Sequence, residues 1–222
     1  MTNACLFSGG KDSTLALHKA MELGAKIDLL ITMRSANRES YMFHYPNIEL
    51  TRLQAEALGM RHVFEETEGR KEEELQDLRN AFEKNDVKLL VTGATFSKYQ
   101  ADRINGICKE MGIEHVAPLW HIDPLEELEE IANRYNAILT SVSAEGLSTS
   151  LLGKRIDKEM IERLKEANRK HGVNLVFEGG EAETFVLDAP LFKRRIEVEK
   201  ARVERNGENG MFVIESARLA AK

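Results

Sequence analysis

NACLFSGGKDSTLALHKAMELGAKIDLLITM, Asn3 to Met33, carries two structural periods in succession. Asn3 to Phe7 is a short apolar-rich run that stops at Ser8-Gly9-Gly10, which reads as a strand followed by a turn. From Thr14 the apolar residues Leu15, Leu17, Ala20, Met21 and Leu23 recur at helical spacing until Gly24, a natural helix terminator. A second strand is predicted from Asp28 to Met33, so the segment has the β-α-β spacing of a parallel crossover. Between strand and helix stands Ser8-Gly9-Gly10-Lys11-Asp12-Ser13. Two glycines let backbone amides approach an anion, the helix N-terminus adds donors and a favourable dipole, and the serines and Lys11 add side-chain contacts. The segment is predicted to cradle phosphate. Asp12 has the wrong sign to touch the anion, so it is expected to serve a metal-bridged phosphate or to cap the helix.

The same alternation continues. Ile48 to Leu58 reads as helix, His62 to Phe64 as strand, and Lys71 to Lys84 as helix with Glu72, Glu73 and Glu74 complementing the dipole of its first turn. Val87 to Thr92 is a continuous apolar strand ending at Gly93-Ala94, the mark of a sheet covered on both faces. A helix carrying Ile104, Ile107, Cys108 and Met111 follows, then a helix over Pro124 to Tyr135 and a strand over Ala137 to Val142. Beyond Val142 the pattern changes: a glycine-punctuated segment, a helix from Asp157 to His171, the bend Glu178-Gly179-Gly180-Glu181, and a hairpin built from Ile196 to Val203 and Met211 to Leu219. The expected architecture is a doubly wound parallel α/β domain over residues 1–140 and a smaller α+β subdomain over 141–222.

Composition removes several classes. Lys plus Arg 31 against Asp plus Glu 37 gives a net charge of -6 and an isoelectric point near 5.6, which opposes a dominant nucleic-acid or anionic-membrane surface. Cys5 and Cys108 stand alone, so neither a CxxC pair nor a disulfide framework is available, and zinc is not expected. No apolar run approaches the roughly 18 residues of a membrane span, and a cytoplasmic protein is expected. The loop lacks the GxxxxGK[ST] spacing of a Walker loop, and GxGxxG is absent. Ser8 to Lys11 fits S-x-x-K, but neither S-D-N nor K-T-G accompanies it.

The hexapeptide resembles the PP-loop of the ATP pyrophosphatases. That resemblance implies an adenine nucleotide alpha hydrolase-like doubly wound sheet and cleavage of ATP to AMP and pyrophosphate through an adenylated substrate. Tyr41 to Asn47, Thr92-Gly93-Ala94, Tyr99-Gln100 with Arg103, Pro118-Leu119-Trp120, Leu152-Gly153-Lys154 and Glu178 to Thr184 together resemble the diphthine-ammonia ligases, over nearly the whole chain. The acidic motif has Ala182 where relatives often carry an aromatic residue, and the C-terminal domains of larger relatives are not expected in this chain. The resemblance implies ATP, Mg2+ and ammonium as reactants or cofactors, and the diphthine form of elongation factor 2 as protein substrate. No stable nucleic-acid partner and no membrane are expected; a homodimer is left open. Two rival readings are a PP-loop enzyme that adenylates a tRNA base and an adenine-nucleotide-binding module without turnover.

Residue roles follow from the motif and the resemblance together. Ser8, Gly9, Gly10, Lys11, Asp12 and Ser13 are expected to bind the nucleotide phosphates, with Lys11 and Asp12 also catalytic and Asp12 the metal ligand. Gly93 either lines the adenine pocket or simply ends its strand, and Met33 is either adenine packing or core. His44, in an aromatic and proline-bearing loop, is expected to bind substrate together with Tyr99, Gln100, Arg103 and Glu178. Tyr99 and Arg103, four apart, share one helix face, and Arg103 would hold a phosphate or the diphthine carboxylate, a surface salt bridge being the alternative. Glu183 or Glu181 is expected to bind ammonium, take its proton or coordinate magnesium, and Lys154 to neutralise charge on the α phosphate. Lys193-Arg194-Arg195 reads as a solvated edge.

Overall fold

The computed structural model describes residues 1–35, 47–69 and 73–222. The elements are β1 (Thr2–Leu6), α1 (Lys11–Glu22), β2 (Leu29–Ser35), α2 (Thr51–Leu58), β3 (Arg61–Thr67), α3 (Glu73–Lys84), β4 (Val87–Val91), α4 (Lys98–Met111) and β5 (Glu114–Val116). They are followed by α5 (Pro124–Arg134), β6 (Asn136–Val142), α6 (Lys158–His171), β7 (Ala182–Asp188), β8 (Arg195–Asn206) and β9 (Asn209–Ala220).

Two compact units result. The first holds Met1–Ser8 and Asp12–His121, the second Gly9–Lys11 and Ile122–Lys222. The first unit is a five-stranded sheet in the order β3-β2-β1-β4-β5, every pairing parallel. β1 is central, Ala4 lying beside Leu29 on one side and Leu90 on the other. On one face Ala4, Leu29, Ile31, Met33 and Leu90 pack against Leu78 and Phe82 of α3 and Ile104 and Ile107 of α4. Strand alternation sends Cys5, Leu30 and Val91 to the other face, where each is fully buried. The thiol of Cys5 approaches the Ser13 carbonyl at 4.0 Å, which places α1 on that second face. Burial drives the Cys5 thiol pKa far above its ordinary value and that of Cys108 up to about 11, so both are packing residues. The doubly wound parallel sheet predicted from sequence is thus the observed one.

The second unit is a four-stranded antiparallel sheet in the order β7-β6-β9-β8, carrying α5 and α6. α5 begins on Asp123, whose carboxylate accepts the amides of Leu125 at 2.9 Å and Glu126 at 3.1 Å, with Pro124 in its first turn. α6 begins on Asp157, which accepts the Met160 amide, and ends at Gly172 in the left-handed region. The predicted hairpin is present, turning at Gly207 with φ 61°. The division between the units lies at Ile122 rather than near 140. β6 reads from sequence as a parallel strand, but it pairs antiparallel with β7 and β9. Its run of buried residues from Ala137 to Thr140 reflects a central position, which gives the same continuous apolar signal in either kind of sheet. β5 is too short for its pattern to register, and β7 was hidden in the acidic motif. Among the described residues, no helix is long and apolar enough to cross a membrane.

Candidate functional site

In the first unit the strand order reverses between β1 and β4, so the crevice beyond their C-terminal ends is the switch point where open α/β sheets bind ligands. Ser8 to Ser13 leaves β1 at that point and enters α1. Gly9 has φ 79°, a conformation open to glycine at little cost. The Ser8 amide donates to Ser13 Oγ at 3.3 Å and the two hydroxyls lie 3.2 Å apart, so the loop closes on itself around both serines. Gly93, just beyond β4, packs against the same turn. A Cβ there would fall 2.7 Å from the Asp12 carbonyl carbon and 2.8 Å from the Ser13 nitrogen. Gly93 therefore does more than end a strand: only hydrogen fits where β4 meets the first turn of α1.

Tyr99 and Arg103 sit in the first turns of α4, with the guanidinium carbon 3.6 Å from the Tyr99 ring centroid. The shared face read from their spacing is present, and the two groups stack. Gln100 lies between them on the same helix by backbone position. Met33 is 3% exposed and belongs to the core cluster, the second of its two expected readings. His44 and the rest of Tyr41 to Pro46 lie outside the described residues.

In the second unit, Lys11 meets the acidic motif. Its amide donates to Thr184 Oγ1 at 2.9 Å, and the Val186 amide donates to the Gly9 carbonyl at 3.0 Å. Its ammonium lies 5.7 Å from the Phe177 ring centroid. Thr184 follows Glu183 and Phe177 precedes Glu178, so loop and motif, some 173 positions apart, converge on Lys11. Sequence reasoning made Lys11 a side-chain phosphate contact. The structure places Lys11 Nζ 2.6 Å from Glu127 Oε1 of α5, with both side chains buried. Glu127 was missed, although a signal existed: it lies four residues before Ile131 and three after Pro124, on the helix face that buries Leu128, Ile131 and Ala132. A charge on a buried helix face calls for a partner.

The acidic residues divide in role. Glu181 accepts the Asn174 amide at 3.1 Å and the Gly179 amide at 2.8 Å, while the Ser143 amide and hydroxyl bond to the carbonyls of Glu181 and Gly180. Its carboxylate braces the turn from Asn174 to Gly180, a task backbone amides impose wherever a bend leaves them without ladder partners. Glu183 stands on β7 opposite Ser141, half-buried, and Glu178 is half-buried in the turn. Lys154 is exposed, its carbonyl accepting the Leu139 amide. Among the described residues no group of three or more His, Cys, Asp and Glu is arranged to hold a metal ion, so a cation at Asp12 would depend on other donors such as phosphate oxygens.

Comparison with known proteins covers both units. The family model for the diphthamide synthase N-terminal domain matches residues 1–115, and that for the diphthamide synthase C-terminal domain matches residues 123–220. The chain is 34% identical to the diphthine–ammonia ligase of Homo sapiens, across 91% of this chain and 85% of that protein. It is 35% identical to that of Danio rerio, across 87% and 85%. The Schizosaccharomyces pombe protein of the same name is 32% identical over 86% of this chain, which spans only 35% of that longer protein. A solved structure described as a predicted subunit of tRNA methyltransferase from Methanocaldococcus jannaschii overlays with a TM-score of 0.46 at 18% identity, across 86% of this chain and 98% of that one. With both of its halves matched in order, and the Homo sapiens and Danio rerio relatives each covered over 85% of their length, the chain belongs to the diphthamide synthase family.

Proposed function

We propose that this chain amidates the carboxylate of diphthine on elongation factor 2, using ATP and free ammonium in the cytoplasm. Family membership over the full chain, with Ser8 to Ser13 at the switch point of the sheet, is the observation that supports this reading. The carboxylate oxygen attacks the α phosphorus of ATP, and pyrophosphate departs. Ammonia then attacks the acyl carbon of the adenylate, AMP departs, and the proton lost by nitrogen passes to a carboxylate.

Each group has a part that its placement supports. Ser8, Gly9, Gly10 and Ser13 with the first turn of α1 hold the phosphates, and Gly93 keeps that turn in place. Asp12, together with phosphate oxygens, would hold Mg2+, which would supply charge neutralisation. Lys11 supplies positive charge whose position Glu127 fixes. Glu183 is the better candidate for the proton acceptor, because both oxygens of Glu181 are committed to backbone amides. Glu178 contributes to ammonium binding and Lys154 to neutralising the α phosphate. Tyr99 and Arg103 serve the protein substrate, and Gln100 and His44 are assigned to it by the resemblance and not by placement.

The test is release of AMP and pyrophosphate from Mg-ATP with ammonium, with and without the diphthine-bearing factor. Release that requires the factor supports the reading. Release that requires tRNA, or none with any acceptor, contradicts it.

A further inference from the structure

Trp120 is the only tryptophan of the chain and is 39% exposed. Its ring stacks on that of His121 at 4.9 Å and 25°, and His121 stacks on Phe96, also 39% exposed, at 5.6 Å and 9°. Both partners stack on the imidazole, so the three rings form one aromatic column joined through His121. The His121 backbone is held at φ 62°, a region that non-glycine residues rarely adopt, and its amide donates to the buried Thr95 carbonyl at 3.0 Å. Conformational strain of this kind persists where surrounding structure enforces it and is concentrated at binding sites.

The column also lies on the ligand edge of the first unit. Phe96 follows β4 and Trp120 follows β5, so both belong to loops beyond the C-terminal ends of parallel strands. Phe96 is three residues past Gly93, which abuts the first turn of α1, and three residues reach at most about 11 Å. Among the described residues no cation lies over the indole of Trp120. An exposed indole face attracts cations through its quadrupole, and a quaternary ammonium, with no N–H groups to keep hydrated, is the cation best suited to it.

Resting on the function proposed above, we propose that the Trp120–His121–Phe96 column receives the quaternary ammonium group of the diphthine side chain. That group and the reacting carboxylate share one carbon atom of the side chain, so gripping the first orients the second. The column thereby selects the trimethylated side chain over a precursor bearing a primary amine.

Two measurements test this. Fluorescence of the single tryptophan is titrated with tetramethylammonium chloride, against potassium chloride at equal ionic strength, in the wild-type chain and in His121→Gly, which suits the backbone and removes the middle ring. Saturable quenching by tetramethylammonium, weakened at least several-fold in H121G, is expected. In the ligase assay, Trp120→Leu raises KM for the diphthine-bearing factor by about tenfold and leaves KM for ATP unchanged. No saturable quenching overturns the proposal, as does a W120L effect on KM for ATP alone, which would make the column an adenine platform. If the wild-type chain fails to turn over the factor at all, the functional reading falls, while the fluorescence titration still decides what the column binds.

Discussion

Removing the Glu127 carboxylate should be among the most damaging single changes to this fold. Glu127→Ala leaves the Lys11 ammonium in a site where both side chains are buried and where its carboxylate partner stood at 2.6 Å. Breaking a buried pair from one side costs about 3–5 kcal/mol, because the remaining buried charge loses a counter-charge at close range. At about 2–4 °C per kcal/mol for a chain of this size, the thermal midpoint falls by about 6 to 20 °C. The assay is thermal unfolding followed by far-ultraviolet circular dichroism, with urea unfolding as a second reading. The double variant Lys11→Met with Glu127→Leu removes both charges, so most of the lost stability should return. Activity should be absent in that double variant if, as proposed, the Lys11 charge serves the phosphates. A loss in E127A below about 1 kcal/mol, the size of an exposed pair, would refute the argument that this pair is buried and tightly coupled. Full activity in a stable double variant would show that Lys11 is only a structural partner of Glu127.

Further outcomes follow from the same geometry. Gly93→Ala should cost about 1–3 kcal/mol and raise KM for ATP, because the new methyl meets Asp12 backbone at 2.7 Å; unchanged nucleotide affinity in a calorimetric titration would contradict this. Glu181→Gln should destabilise by about 1–3 kcal/mol by weakening two charge-assisted backbone contacts, whereas Glu183→Gln should act chiefly by lowering turnover. A reversal of those two phenotypes would exchange the assigned roles. Burial, helped by the Arg52 charge, lowers the pKa of His62 to about 4, and its imidazole lies 2.8 Å from Thr32 Oγ1. Because the unfolded chain takes up the proton first, this contribution is complete above pH 6.5 and is lost as pH falls from there toward 4. His62→Gln should flatten that part of the stability profile, measured as urea midpoints at neutral and acid pH; a profile as steep as wild type would contradict it.

The parts legible in the sequence are those whose signal is local. β1, the Ser8 to Ser13 turn and α1 could be read because strand period, glycines and helix period follow one another within a few residues. The hairpin was legible for the same reason, two alternating runs around one polar turn. What was not legible depends on pairing across the chain. β6 has an apolar run that suits any central strand, and only its partners β7 and β9 reveal an antiparallel sheet. Lys11 could be recognised as special, but its partner lies 116 positions away on α5, and no local signal pairs the two. Glu181 and Glu183 are indistinguishable two residues apart in sequence; one turns to the amides of a bend and the other stands on a strand. The Trp120–His121–Phe96 column joins residues from two loops, and only the fold stacks them.

The most direct test of the central claim is to supply heavy-isotope ammonium with Mg-ATP and the diphthine-bearing factor, and to locate the label by mass spectrometry of the modified histidine. The account predicts one labelled amide nitrogen on that side chain for each AMP released, with no incorporation when ATP is omitted. A factor that stays unlabelled while ATP is consumed, or a nucleotide product that is ADP rather than AMP, would contradict it.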